Sequence, residues 1–309
     1  MLTTENKKQI AAALKNYLQT HQLSERKFAD KCNMSSSYVN SIMQGTYEAF
    51  KVGSRTISIG DQYFTSIASE INCYYHTTYW KHFESDNFCA VRKACNKARR
   101  KKSRAGIDGN TGDGKTYAVR EYVKANPNET FLLTADGLMN PKDFIVTLAE
   151  IVGAETAGSR HNILKAIIYK LRTYSKPLLI IDETENVKKD ATLQTIKALC
   201  DALEGKCGIV LAGIDLRNEF HRLAGRKKYC YPQINRRFAG SWYTMFSLSE
   251  SEIQDVARSL NITDRTATNW LLKNVHNWGE LQHIVTEALE EATETKKPIT
   301  ADLLRILND

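Results

Sequence analysis

Residues 109–123 read GNTGDGKTYAVREYV: three glycines, two threonines and a lysine, then a helical alternation of apolar and polar positions. The chemistry that suits this composition is phosphate binding. Gly109, Gly112 and Gly114 admit backbone conformations closed to other residues, so the loop of Gly109, Asn110, Thr111, Gly112, Asp113, Gly114, Lys115, Thr116 and Tyr117 can turn N–H groups inward around phosphate oxygens. The helix that follows adds its positive N-terminal end. In that arrangement Lys115 reaches the β- and γ-phosphates, and the Thr116 hydroxyl sits on a magnesium ion.

A second pattern supplies what a phosphate loop lacks. Residues 176–187 read KPLLIIDETENV, where Leu178, Leu179, Ile180 and Ile181 form a short apolar run of the kind found in buried parallel strands. The run delivers Asp182 and Glu183 at its C-terminal end, the edge where α/β sheets place their ligands. Asp182 is suited to hold magnesium through water, and Glu183 to polarise the attacking water. Either pattern alone also occurs in plain turns and solvated strand ends. Together, in this order, they predict an α/β fold that binds ATP and Mg2+.

The elements that must position these groups are legible as periodicity. TFLLTAD (130–136), LLIID (178–182) and GIVLAG (208–213) read as strands, alternating with helical segments near 141–152, 160–173 and 190–204, the βα alternation of a parallel sheet. After Phe246 the strands cease and four helical segments follow, the first opened by a capping box of Ser249 and Glu252. The expectation is a nucleotide-binding core over 105–246 and a helical lid over 247–309.

Ahead of the core, residues 1–50 read as short helices with polar turns. Ile10, Leu14, Tyr17 and Leu18 share one helical face, and a second helix starts at Ser24. A third is capped by Ser35 or Ser36 and stopped by Gly45. With Phe28, Ala29, Val39 and Ile42 inward, this is a helix-turn-helix pattern that would present Ser36, Ser37, Asn40 and Gln44 to DNA; a small helical packing module has the same pattern. Residues 51–104 form a helical, basic connector. Its aromatic residues Tyr74, Tyr75, Tyr79, Trp80, Phe83 and Phe88 suit packing better than base stacking, and it ends in KARRKKSR. Lys97, Arg99, Arg100, Lys101, Lys102 and Arg104 are the candidates there for DNA phosphate contact.

Composition sets the outer bounds. The 309 residues carry a net charge of +8, which suits an acidic partner such as double-stranded DNA. Seven cysteines lie scattered with no C-x-x-C pair, and neither a signal peptide nor a long apolar span is present. These features predict reduced thiols in a cytoplasm, no zinc site and no membrane partner.

A helix-turn-helix, a basic connector, GNTGDGKT, LLIIDE and a helical lid, in this order, resemble the phage Mu B-like transposition helper ATPases of the AAA+ class. The motifs themselves are generic to AAA+ proteins; their combination carries the likeness. The resemblance implies a P-loop AAA+ parallel-sheet core and a homo-oligomer, filament or ring, that forms on target DNA with ATP. It also implies recruitment of a DDE-type transposase and release on slow, DNA-stimulated hydrolysis. Lys115 and Thr116 match the nucleotide loop, Asp182 and Glu183 the magnesium and water-activating positions. Arg236 or Arg237, in INRRFAG, matches the arginine that reaches a neighbour's γ-phosphate. Two positions depart from the pattern: Ile214 and Asp215 follow GIVLAG where a polar γ-phosphate sensor is usual, and Gln282 in GELQ replaces a sensing arginine. Two other readings keep the same core, an ATP-switched helix-turn-helix regulator bound to a defined DNA site and a helicase loader.

Overall fold

A computed structural model describes residues 2–52, 55–71, 73, 80–187, 190–227 and 230–308. It divides into two compact units, Met1–Lys81 and His82–Asp309. Tyr74, Tyr75 and Tyr79, assigned above to the connector, lie outside the described residues.

The first unit opens with three helices, α1 (Thr4–Thr20), α2 (Glu25–Lys31) and α3 (Ser36–Met43). Each starts where a hydroxyl accepts from the first turn: Thr3 from the amide of Asn6, Ser24 from Lys27 and Ser35 from Ser37. Ile10, Leu14, Phe28, Ala29, Val39 and Ile42 meet in one buried core, the inward set that the spacing predicts. The unit runs on past residue 50. An antiparallel hairpin, β1 (Ala49–Val52) with β2 (Arg55–Ser58), leads to α4 (Asp61–Glu70), whose Phe64 and Ile67 enter the same core. Buried Lys7 ties the pieces together, its ammonium 3.1 Å from Glu48 and 3.2 Å from Asp61.

The second unit begins with α5 (Asp86–Lys101), capped by Ser85, and then alternates strand and helix. In chain order these are β3 (Arg104–Asp108), α6 (Lys115–Ala125), β4 (Thr130–Thr134), α7 (Pro141–Val152), α8 (Arg160–Thr173), β5 (Leu178–Asp182), α9 (Asp190–Ala202), β6 (Gly208–Gly213), α10 (Leu216–Gly225), α11 (Tyr231–Phe238) and β7 (Trp242–Thr244). The strands form one parallel sheet in the order β4-β5-β6-β3-β7. Because side chains alternate across a strand, the apolar runs serve two faces at once. Leu179, Ile181, Ile209 and Leu211 pack under α7 to α11, while Leu178, Ile180, Val210 and Ala212 pack under α5 and α6. The architecture is α/β with a P-loop AAA+ sheet, helices on both faces and a helical C-terminal segment. That segment comprises α12 (Glu250–Ser259), α13 (Arg265–Asn274), α14 (Trp278–Thr295) and α15 (Ala301–Asn308), and the Ser249–Glu252 capping box forms as expected.

Candidate nucleotide-binding site

The site is built at the C-terminal ends of β3, β5 and β6. Leaving β3, the chain turns through residues 109–114 into α6, and Gly112 and Gly114 take φ of 83° and 86°, a region that costs other residues about 1–2 kcal/mol. Asp113, 3 % exposed, braces the turn by accepting from the amide of Asn110 at 2.6 Å. Lys115 is buried at the first position of α6, and its ammonium donates to the carbonyls of Gly109 (2.9 Å) and Asn110 (2.6 Å). Burial pulls its pKa below the ordinary lysine value, against the opposing pull of the carboxylates of Asp113, Glu185, Asp182 and Asp108. Burial likewise pushes the Asp108 carboxyl up, although its Oδ1 accepts from the Leu216 amide at 2.8 Å. A cation held only by loop carbonyls is well placed to be taken over by phosphate oxygens.

Asp182 ends β5 at 1 % exposure; its Oδ1 accepts from the Glu183 amide at 3.0 Å, and its Oδ2 has no partner among the described residues. An orphaned carboxylate oxygen in so buried a place calls for a cation. Magnesium in such sites keeps waters and takes one or two protein oxygens plus phosphate, so Asp182 with the half-buried Thr116 hydroxyl fits it. Among the described residues no group of three or more histidine, cysteine or acidic side chains gathers into a metal site by itself. Glu183 sits at φ 52°, and its Oε2 accepts from Asn186 Nδ2 at 3.2 Å; Asn186 in turn donates to the Ala135 carbonyl.

Around the loop stand several groups of which the sequence reading assigns only Tyr117 to the site. Asn87, in the first turn of α5, donates to the carbonyls of Asp113 (3.2 Å) and Phe246 (2.7 Å) and accepts from the Phe246 amide, pinning the loop to the start of the lid. Asn277 caps α14 and stands directly over Gly112, where any Cβ would collide with it, and the Gly279 amide reaches the Gly112 carbonyl at 3.3 Å. Tyr117, on the exposed side of α6, is bonded through its hydroxyl to His82 Nδ1 at 2.8 Å, with the two rings stacked and Phe88 edge-on to His82. Glu185 lies in the turn after β5 with a buried, unpartnered Oε2. Tyr117 and Glu185 lie within the two quoted stretches; Asn87, Asn277 and His82 carry no local pattern, because they are brought in by tertiary packing.

The remaining expected residues fall elsewhere. Arg236 and Arg237 lie at the C-terminal end of α11, in a cavity of about 580 Å3 shared with Lys101, Lys102 and Arg104 at the start of β3, at the opposite end of the sheet from the loop. Arg237 is engaged by the Asp201 carboxylate and the Gln233 carbonyl, whereas exposed Arg236 has no ion-pair partner among the described residues. Two of the residues expected to contact DNA have another use. Arg104 is buried and donates to the carbonyls of Cys200 and Lys102, and Arg99 donates to those of Lys176 and Asn128 and to Asn126 Oδ1, so both brace helix and strand ends. Lys97 lies over the Tyr243 ring; Arg100 and Lys101 are exposed and Lys102 half-buried. In the first unit, exposed Ser36, Ser37, Asn40 and Gln44 line one groove with Arg26 and Lys51, and Asn40 donates to Glu25.

No curated protein matches the sequence. Among solved structures the chain is similar to the Thermotoga maritima RuvB Holliday junction branch migration motor, with 14% identity and a TM-score of 0.47 over 72% of this chain and 67% of that one. It is also similar to the replication initiator DnaA bound to AMPPCP and single-stranded DNA, with 16% identity and a TM-score of 0.48 over 70% of this chain and 66% of that one. Residues 99–218, which run from the end of α5 through the phosphate loop and the acidic strand into α10, match the family model of the AAA domain. With its parallel sheet and phosphate loop, the chain carries an AAA domain.

Proposed function

We propose that this protein is an ATP-dependent, largely sequence-tolerant DNA-binding ATPase that assembles on target DNA and presents it to a DDE-type transposase. The observation that carries the ATPase part is the convergence of the loop lysine Lys115 with Asp182, whose unpartnered oxygen suits magnesium, at one edge of one sheet. In this reading Lys115 and the loop amides hold the phosphates, Thr116 and Asp182 hold Mg2+, and Glu183 polarises water once freed from Asn186. Arg236, with no ion pair among the described residues, completes a neighbour's site across a subunit boundary. The exposed Arg100, Lys101 and half-buried Lys102 supply charge toward DNA phosphates.

The transposition role rests on the order of modules, and a regulator reading shares the same ATPase. That reading draws on the groove that holds Ser36, Ser37, Asn40 and Gln44, side chains able to read base edges. Binding to random-sequence duplex with and without ATP, viewed by electron microscopy, separates the two. Continuous ATP-dependent filaments or rings on any duplex support the proposal. Discrete particles confined to one short site, with nucleotide switching their binding, would replace it with the regulator.

A further inference from the structure

The turn after β5 carries two glutamates, and they point to opposite sides. Residues 184–186 form one 3-10 turn, anchored by the Thr184 hydroxyl on the Ile181 carbonyl at 2.9 Å. Glu183 precedes this turn in left-handed backbone, at φ 52°, whereas Glu185 lies inside it. Glu183 is drawn toward β4, since its partner Asn186 is hooked to the Ala135 carbonyl just beyond that strand. Glu185 is directed toward β6, where its Oε2 lies so close to Gly213 that a Cβ there would collide with it. In the order β4-β5-β6-β3 only the second direction leads to the phosphate loop. The Glu185 carboxylate is among the negative charges that oppose the lowering of the Lys115 pKa by burial.

The end of β6 is also where a polar side chain is missing. Gly213 and Ile214 offer none, and Glu185 fills the space against Gly213 with a carboxylate oxygen that is shielded from solvent and has no hydrogen-bond partner among the described residues. A carboxylate oxygen shielded from solvent and left unsatisfied is destabilising unless a ligand completes it. Nucleotide hydrolysis offers such a ligand. The bond from a water oxygen to the γ-phosphorus forms as the bond from that phosphorus to the bridging oxygen breaks, ADP departs with the electron pair, and the proton shed by the water passes by way of a carboxylate to the released phosphate.

We infer that Glu185 is a second carboxylate of the hydrolytic site, holding the attacking water from the β6 side and standing in for the missing polar residue at 214, with Gly213 kept bare to admit it. The inference rests on the ATPase reading above. It is tested by measuring ATP affinity and kcat separately in the full chain for the wild type, Glu185→Gln, Gly213→Ala and the double variant. Glu185→Gln is expected to lower kcat at least thirtyfold with ATP affinity changed less than threefold. Gly213→Ala should do the same by displacing the carboxylate, and the double variant should be no slower than the slower single one, as coupled residues require. If wild-type protein fails to hydrolyse ATP, the ATPase reading itself falls. If wild type hydrolyses and Glu185→Gln keeps kcat within threefold, the inference is overturned while that reading stands. Loss of ATP affinity in Glu185→Gln as deep as in Lys115→Ala would also overturn it, by making Glu185 a brace for the lysine.

Discussion

At the scale of residues, the loop carries its chemistry in one side chain. Lys115→Ala should weaken ATP binding on the order of a hundredfold, since a charged hydrogen bond is worth about 3 kcal/mol and here nothing else in the loop is cationic. Equilibrium titration with a fluorescent ATP analogue checks this, and an unchanged affinity would remove the loop from nucleotide binding. The two arginines of α11 should separate. Arg237→Ala leaves Asp201 paired with Lys197 alone and costs local stability, whereas Arg236→Ala should leave ATP binding intact and abolish ATP-dependent assembly on DNA. Mixed with Lys115→Ala protein, Arg236→Ala protein should regain part of its DNA-stimulated hydrolysis, because a group acting across subunits is complemented by its neighbour; no recovery in any ratio sinks that role. The sequence shows Lys115, Asp182 and Glu183 plainly because loop and strand end are local patterns. It is silent on which arginine is tied down, since Asp201 lies in a different helix.

At the scale of elements, strands β4, β5 and β6 and helices α7, α8 and α9 fall where the periodicity places them, because a buried parallel strand is a short apolar run bounded by turns. The hairpin of β1 and β2 was harder to read: AFKV and RTIS are short and mixed in polarity, and the Gly53-Ser54 pair between them in the sequence is the one hairpin signal they carry. The tie between lid and loop was equally hidden, since it depends on a cap at one end of α14 meeting a glycine some 165 residues earlier, a separation bridged only by the fold. That tie makes a prediction. Asn277→Ala removes the cap of α14, a loss of about 1 kcal/mol, and with it the contact on Gly112. Release of bound nucleotide, followed by stopped-flow fluorescence, should quicken severalfold while the fold persists. Gly112→Ala should act in the same direction and more strongly, because strain at φ 83° adds to the collision. Release rates equal to wild type in both would show that the lid does not gate the site.

At the scale of the whole molecule, charge decides two behaviours. Neutralising Arg100, Lys101 and Lys102 should flatten the salt dependence of DNA affinity by up to about 0.9 in the log–log slope for each phosphate left without its cation, whereas Arg99→Gln and Arg104→Gln should lower thermal stability and leave the slope unchanged. A slope insensitive to the first set moves the DNA surface elsewhere, and the polar groove of the first unit becomes the candidate. The second behaviour is acid sensitivity. The Leu2 amide, with help from the Lys7 ammonium, holds the Asp61 carboxyl below the usual carboxylate range. A carboxylate depressed on folding stabilises the fold above its unfolded value of about 3.9 and loses that contribution as pH falls through its folded value. Asp61→Asn should therefore lower the melting temperature near neutral pH, and the difference from wild type should shrink as pH falls below the unfolded carboxylate value of about 3.9. Among the described residues no helix is long and apolar enough to cross a membrane. There remains the mechanical meaning of α14 resting its capped end on the phosphate loop. The helix has 18 residues and so extends about 27 Å from that fulcrum, and a tilt of about 10° at the loop swings its far end through about 5 Å. A small tilt at such a fulcrum would carry the far end of α14 through a stroke as large as the spacing between packed side chains.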